Sequence, residues 1–352
     1  MQEQELPAND QLEVNGVMQS KPTKVLPGKG ETRRNTVFLI FLAFGVLLSL
    51  APWFSPGYAL LFGIAGALAI GNPFSKTTRK VSKVLLQSSV VLLGFSMNLD
   101  AALKSGMNGF VIAAITIVFT LSLGMFVGKI LKMKKMDALL ISAGTAICGG
   151  SAIAAVGQVI GADEAEMSVA IGTVFLLNAV ALFLFPVLGH AFGLSQIQFG
   201  TWAGIAIHDI SSVVGASSRY GLTALQVATA VKLSRSLWIA PVAFGASWAY
   251  RKGKLTDDKS RVVGGKAKVA FPTFILLFIV ASILGTYIPL VASGAPMLNR
   301  AATIGLTLTL LLIGADLSKR ALASVGWRPL VQGLIIWAFI ASVSLFTILH
   351  FA

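Results

Sequence analysis

The chain has 352 residues, of which 55% are hydrophobic and only 12% charged, with a mean hydropathy of +0.81. That leaves too little polar surface for a water-soluble domain of this size. The formal net charge of +14 would suggest a nucleic-acid partner in a soluble protein. Here the basic residues gather in short loops between apolar runs, where they set membrane orientation, so no nucleic-acid partner is expected. A single cysteine, Cys148, excludes an internal disulfide and any Cys-cluster metal site.

Residues 1–35 are polar, with Pro and Gly, and read as a disordered cytoplasmic tail; residues 36–352 read as one polytopic transmembrane domain. The first apolar run begins only near Thr36, so no cleavable signal peptide is expected at the start of the chain. Eleven apolar segments follow, at about 37–52, 57–72, 81–98, 108–128, 137–160, 165–189, 197–218, 222–249, 270–290, 299–317 and 329–350. Each is taken as a crossing of roughly 20 helical residues, although 57–72 is short and 197–218 carries His208 and Asp209. The expected fold is therefore an all-α membrane protein of about eleven transmembrane helices.

Charge sorts the loops. With the N-terminus inside, 23 of the 28 Lys and Arg residues fall on the cytoplasmic side. They include Arg33, Arg34, Lys76, Arg79, Lys129, Lys134, Lys135, the run from Arg251 to Lys268, and Lys319, Arg320 and Arg328. Lys104, Arg219, Arg300 and the acidic trio Asp163, Glu164 and Glu166 fall outside. The positive-inside rule then gives an N-in, C-out protein of the cell (inner) membrane. A weak internal similarity, Leu92-Leu93-Gly94 against Leu312-Ile313-Gly314, hints at inverted repeats. Trp53, Tyr58, Tyr287 and Trp327 flank spans and read as interface anchors.

Three places could carry chemistry. Segment five holds Cys148-Gly149-Gly150-Ser151 at its centre, and segment seven, which aligns with it, holds His208-Asp209 followed by Ser211-Ser212. If both helices break there, the N-terminal ends of their second halves present N–H groups to an anion. The bland alternative for the glycines is close helix packing. His208 and Asp209 form a candidate proton-coupling pair, since an ionisable residue at mid-span normally faces a cavity or a partner; the bland alternative is that Asp209 pairs with a buried cation, Lys232 or Arg235. In segment eight Lys232, Ser234 and Arg235 lie far from either end. Lys232 and Arg235 share a helix face and suit a doubly charged oxyanion, with snorkelling to the interface as the bland alternative. Asn178 in segment six could line the same cavity, while Asp316 and Asn98 read as surface residues at the ends of their spans. Removing Lys232 or Arg235 should abolish transport and still leave folded protein. No Walker A, HExxH or GxSxG motif is present, so neither an enzyme nor ATP-driven transport is expected, and no cofactor.

The Cys148-Gly-Gly-Ser-Ala element, the Gly204-Ile-Ala-Ile-His-Asp run, the Lys232-Leu-Ser-Arg235 helix and Leu93-Gly-Phe-Ser-Met97 together resemble the YeiH-type membrane proteins over about residues 37–350. That family carries a sulfate-exporter label. The resemblance implies a relation to the bile-acid-symporter and cation/proton-antiporter class, with a static panel, a mobile core and two crossing broken helices. It also implies a panel that can form a homodimer, and a coupling proton or sodium ion. In that class the broken helices lie five spans apart, whereas segments five and seven are two apart. The resulting expectation is a secondary transporter of a small anion such as sulfate or an organic sulfonate or carboxylate. The alternatives are a small-anion channel, a cation/proton antiporter, and an intramembrane protease using Asp209 and Asp316.

Overall fold

The computed structural model describes residues 29–51, 54, 56–96, 99–252, 273–316 and 325–351. Of the residues singled out above, Trp53, Asn98, Lys319, Arg320, the basic run beyond Lys252 and residues 1–28 lie outside these, as does the side chain of Lys104. The described residues are helical, with no strand among them. In chain order the helices are α1 (Lys29–Ser49), α2 (Pro56–Ala69), α3 (Ser75–Gly94), α4 (Leu99–Ile130), α5 (Lys135–Ala146), α6 (Gly150–Ile160) and α7 (Glu164–Ala191). They continue with α8 (Gln196–Ala206), α9 (Ile210–Tyr220), α10 (Leu222–Ser236), α11 (Ile239–Arg251), α12 (Thr273–Tyr287), α13 (Pro289–Asp316) and α14 (Trp327–Phe351). Helix α1 already includes Arg33 and Arg34, within the stretch read as a tail.

Five helices, α1, α4, α7, α13 and α14, contain stretches long and apolar enough to cross a membrane, and α2, α6 and α12 are shorter apolar ones. Large apolar side chains such as Ile40, Ile115, Phe126, Leu277 and Phe346 lie exposed on α1, α4, α12 and α14. In water such a surface would drive aggregation; against lipid it costs nothing. Tyr58, Tyr287 and Trp327 are exposed at helix ends, as interface anchors are.

The described helices pack in two groups. Helices α1, α2, α3, α12 and α13 pack on one another, and α4 to α11 with α14 form the second group. Glycine lets backbones touch in the first: a Cβ on Gly63 would collide with Leu311 O, and one on Gly314 with Leu60 O. The groups meet where α9 packs on α2 and α13, and where α4 meets α12.

Segments five and seven are not straight broken rods, as a reading of eleven crossings requires; each turns back on itself. The Oε1 of Gln196, the first residue of α8, accepts hydrogen bonds from Thr223 N at 3.1 Å and Ala224 N at 3.4 Å, just beyond the end of α9. The Tyr220 hydroxyl donates to Leu194 O at 2.6 Å, closing the same base. Laid end to end as one straight rod, α8 and α9 would hold these ends roughly 40 Å apart. In segment five a Cβ on Gly144 would lie 2.8 Å from Ile153 Cδ1, across the break. At its base the Asp137 carboxylate lies within electrostatic reach of Glu166 and Asp163. Both α5–α6 and α8–α9 are therefore helical hairpins. By contrast Leu237 and Trp238 keep helical dihedrals, so α11 continues α10 as one bent rod.

Local sequence explains the turns. Gly149 at the first tip has φ 66° and ψ −128°, a conformation open to glycine and strained for other residues. Gly161 ends α6 in the left-handed region at φ 69°. Capping boxes then start α7, with Asp163 and Glu166, and α8, with Ser195 and Gln198.

The hairpins enter from opposite faces. The base of α8–α9 lies on the face that holds the start of α2, where Arg219 reaches Gly57, and the end of α3, where Gln226 Nε2 donates to Ser96 O at 2.8 Å. The base of α5–α6 lies on the other face, where Met136 and Ile160 share an apolar cluster with Tyr250 at the end of α11. Asp163, Glu164 and Glu166 therefore sit on the face of Lys134 and Lys135, not on the opposite one. The alignment of segment five with segment seven is a real correspondence of position: Ala146 and Ala206 end the first arms, and Gly161 and Gly221 follow the second.

A candidate anion site where two hairpin tips meet

The two tips touch: a Cβ on Gly149 would lie 3.2 Å from Asp209 Cβ. Each arm is only about 16 Å long, half the thickness of a hydrocarbon core, so tips entering from opposite faces meet near its middle. A helix that stops in the membrane leaves its end groups without water, and each must find a partner.

The carbonyl ends are met by the two cations. Lys232 Nζ donates to Ile207 O, at the end of α8, at 2.5 Å. Arg235 donates through one terminal nitrogen to Ala146 O, the last residue of α5, and through the other to Thr116 Oγ1 at 2.9 Å. Both side chains are fully buried, 0% and 1% exposed, so neither snorkels to an interface. Among the described residues neither forms a salt bridge with a carboxylate, though Asp209 lies within electrostatic reach of Lys232. Trp337 Nε1 adds a bond to Ala206 O at 3.1 Å. Positive charge beside the carbonyl end of a helix is favourable, and in a buried site it can reach about 2 kcal/mol.

The N-terminal ends differ from each other. At α9 the Asp209 carboxylate accepts from Ser211 N at 3.0 Å and from the Ser211 hydroxyl, so this end already holds an anionic cap. Asp209 N in turn donates to Asn178 Oδ1 at 3.2 Å. At α6 the cap position is Gly149, which has no side chain to cap the end, while the Cys148 sulfur lies against the Ala152 N–H in the first turn. Gly150 N and Ser151 N, which cannot bond within their own helix, point outward from it. Gly150 is half-buried and Ser151 exposed, while Cys148, Ser212, Lys232 and Arg235 are buried behind them. Asp209 is half-buried as well, so the open helix end and the carboxylate share the accessible side of the tips.

Several buried polar atoms near the tips have no partner among the described residues: Thr145 Oγ1, Asn178 Nδ2, Arg235 Nε and both ring nitrogens of His208. His208 does not bond Asp209 as the paired reading supposes; its ring packs on Trp337 with centroids 5.9 Å apart. Ser234 donates to Val231 O of its own helix at 2.8 Å and turns no proton toward the tips. Of the residues singled out in the sequence, the structure gathers Cys148 to Ser151, Asn178, Asp209, Ser211, Lys232 and Arg235. It keeps Asp316 apart, in a cluster with Arg79 Nε at 2.5 Å and Ser75 Oγ at 2.5 Å that ties α13 to α3.

Reading the sequence passes over Thr116, Trp337 and Gln332. Gln332 Nε2 donates to Gly124 O at 2.9 Å, Ala138 O at 3.0 Å and Ser142 Oγ at 3.2 Å, fixing α14 and α4 to the first hairpin. An amide inside an apolar segment is the available signal for Gln332. Thr116 and Trp337 give none, because threonine bonds its own helix and tryptophan flanks spans in many membrane proteins.

Comparison with known proteins gives the family. Residues 37–333 match the model of a family described as Conserved hypothetical protein 698. The UPF0324 membrane protein of Porphyromonas gingivalis is 51% identical over 322 residues, covering 89% of this chain and 94% of that one. The corresponding protein of Bacteroides thetaiotaomicron is 46% identical over 340 residues, covering 92% and 97%. UPF0324 membrane protein Bd1437 of Bdellovibrio bacteriovorus is 44% identical over 326 residues, covering 92% and 98%. No solved structure matches. With this coverage and identity, and with the motifs that resemble the YeiH-type proteins, the chain belongs to the UPF0324 (YeiH-like) family of membrane proteins.

Proposed function

We propose that this protein is a secondary transporter that carries a small oxyanion, such as sulfate or an organic sulfonate or carboxylate, by alternating access. The observation that carries the reading is a helix N-terminus capped only by a glycine, open at Gly150 and Ser151 and backed by two buried cations. The solute would sit at the Gly150 and Ser151 N–H groups, within reach of the unpartnered donors Arg235 Nε and Asn178 Nδ2. Lys232 and Arg235 would act on it mainly through their field, since their bonds go to the carbonyl ends. The group containing both hairpins would be the mobile core and the α1–α3, α12–α13 group the static panel, available for a homodimer. Two hairpins that enter and leave on one face reduce eleven crossings to nine and keep the N-in, C-out orientation. They also make α5–α7 and α8–α11 an inverted pair of repeats.

Charge balance supports a coupled proton. Each helix end contributes about half an elementary charge, so two N-terminal and two C-terminal ends cancel. Lys232, Arg235 and an ionised Asp209 then leave the crossing at about +1. A monoanion matches this directly. A dianion matches the crossing once Asp209 is protonated, so one proton would travel with sulfate, with Asp209 as the carrier and His208 beside it on the hairpin tip. A channel is disfavoured because polarity is confined to mid-membrane, and a cation antiporter because the accessible helix end is positive.

The test is thermal unfolding of purified protein titrated with sulfate, methanesulfonate, acetate and chloride. A saturable rise with one oxyanion class supports the reading, since a bound ligand raises stability by mass action. No rise with any of them contradicts it.

A further inference from the structure

Carbonyls at the C-terminal ends of helices broken inside a membrane are sites where transporters coordinate sodium. Here Ile207 O and Ala146 O, at the ends of α8 and α5, face an ammonium and a guanidinium carried by α10. We propose that Lys232 and Arg235 are tethered replacements for two coupling cations, so that the protein binds its anion without sodium. The proposal rests on the transporter reading for its meaning, but its geometry stands by itself.

Three features support it. The cations lie three residues apart on one helix and each serves a different hairpin, so a single rod fills both cation positions at once. Among the described residues neither forms a salt bridge, and although Asp209 lies within electrostatic reach of Lys232, the direct bonds of both cations go to helix-end carbonyls, as those of a bound ion would. Arg235 also takes Thr116 Oγ1, and a hydroxyl beside a helix-end carbonyl is the kind of oxygen pair that would ligate a small monovalent ion. The hairpins thus need no dissolved ion to keep their carbonyl ends satisfied.

The experiment is thermal unfolding of the full chain in detergent, with NaCl or LiCl exchanged for choline chloride, for the native protein, Lys232→Ala and Arg235→Ala. The native midpoint should not move between sodium and choline. Each alanine variant vacates one cation position and should gain a saturable sodium- or lithium-dependent rise of about 3 °C or more. A sodium-dependent midpoint in the native protein, or no gain in either variant, overturns the proposal. If neither variant yields folded protein in any salt, sulfate binding by the native protein in sodium against choline decides alone. Equal affinity supports the replacement and sodium dependence overturns it. Absence of any sulfate effect in either salt would instead strike the anion reading, and the native midpoint in sodium against choline would then decide this one: a midpoint that does not move supports it and a sodium-dependent midpoint overturns it.

Discussion

Gly149→Ala separates the tip contact from ordinary glycine strain. At φ 66° and ψ −128° an alanine costs roughly 1–3 kcal/mol of backbone strain. The new Cβ would also press on Asp209 Cβ at 3.2 Å and Cα at 3.5 Å. Asp209 is the cap of α9 and cannot yield without loosening its bonds to Ser211. Together these give a loss of about 2–4 kcal/mol. Gly161 is the control: its φ is 69°, but nothing lies within 4 Å of a Cβ there, so Gly161→Ala costs only about 1–2 kcal/mol. Chemical unfolding of both purified variants gives the stabilities, and a sulfate titration gives the affinities. Gly149→Ala should bind sulfate at least about tenfold more weakly, and Gly161→Ala as the native protein does. Equal stabilities with unchanged sulfate affinity in both would refute the tip-to-tip arrangement.

Other outcomes follow from the same geometry. Asp209→Asn keeps a good N-cap for α9, so the variant should fold with less than about 1 kcal/mol lost, yet sulfate binding should lose its pH dependence. An unchanged pH profile would remove Asp209 from proton coupling. Gln332→Leu leaves Gly124 O, Ala138 O and Ser142 Oγ without their shared donor and should cost about 1–3 kcal/mol in unfolding, with sulfate affinity retained. Gln196→Cys with Thr223→Cys, in a Cys148→Ser background, should be bridged by a short bifunctional maleimide, because these positions share the base of one hairpin. A straight rod would place them roughly 40 Å apart and give no bridge.

The sequence made the helical membrane class legible through the length and apolarity of its runs, and it located both breaks through Gly149-Gly150 and His208-Asp209. It also placed Lys232 and Arg235 inside the structure. What it could not convey was direction. An apolar span with a break at its centre has the same composition whether it runs on or doubles back, and only the contacts of Gln196 with Thr223 and of Asp137 with Asp163 distinguish the two. Removing two crossings as a pair of hairpins also leaves the side of every basic loop unchanged, so the charge rule could not expose the error. Of the loops that carry Lys, Arg, Asp or Glu, only the acidic trio changes face. The destination of the cations was hidden for a related reason. A buried Lys or Arg on one helix gives no sign of whether it meets a solute or a helix-end carbonyl on another. Because each removes the partner of a buried helix end, alanine at either position should lower stability relative to the native protein.

The most direct measurement of the central claim is equilibrium sulfate binding to Gly150→Pro. Proline at the first helical position fits the helix, and the nearest atom to its Cβ is Phe175 Cζ at 3.8 Å, so the fold should be kept. What is lost is the Gly150 N–H at the open end of α6. At least about a tenfold fall in affinity with native-like unfolding is the outcome this arrangement requires; native affinity in that variant would show that the anion is held elsewhere.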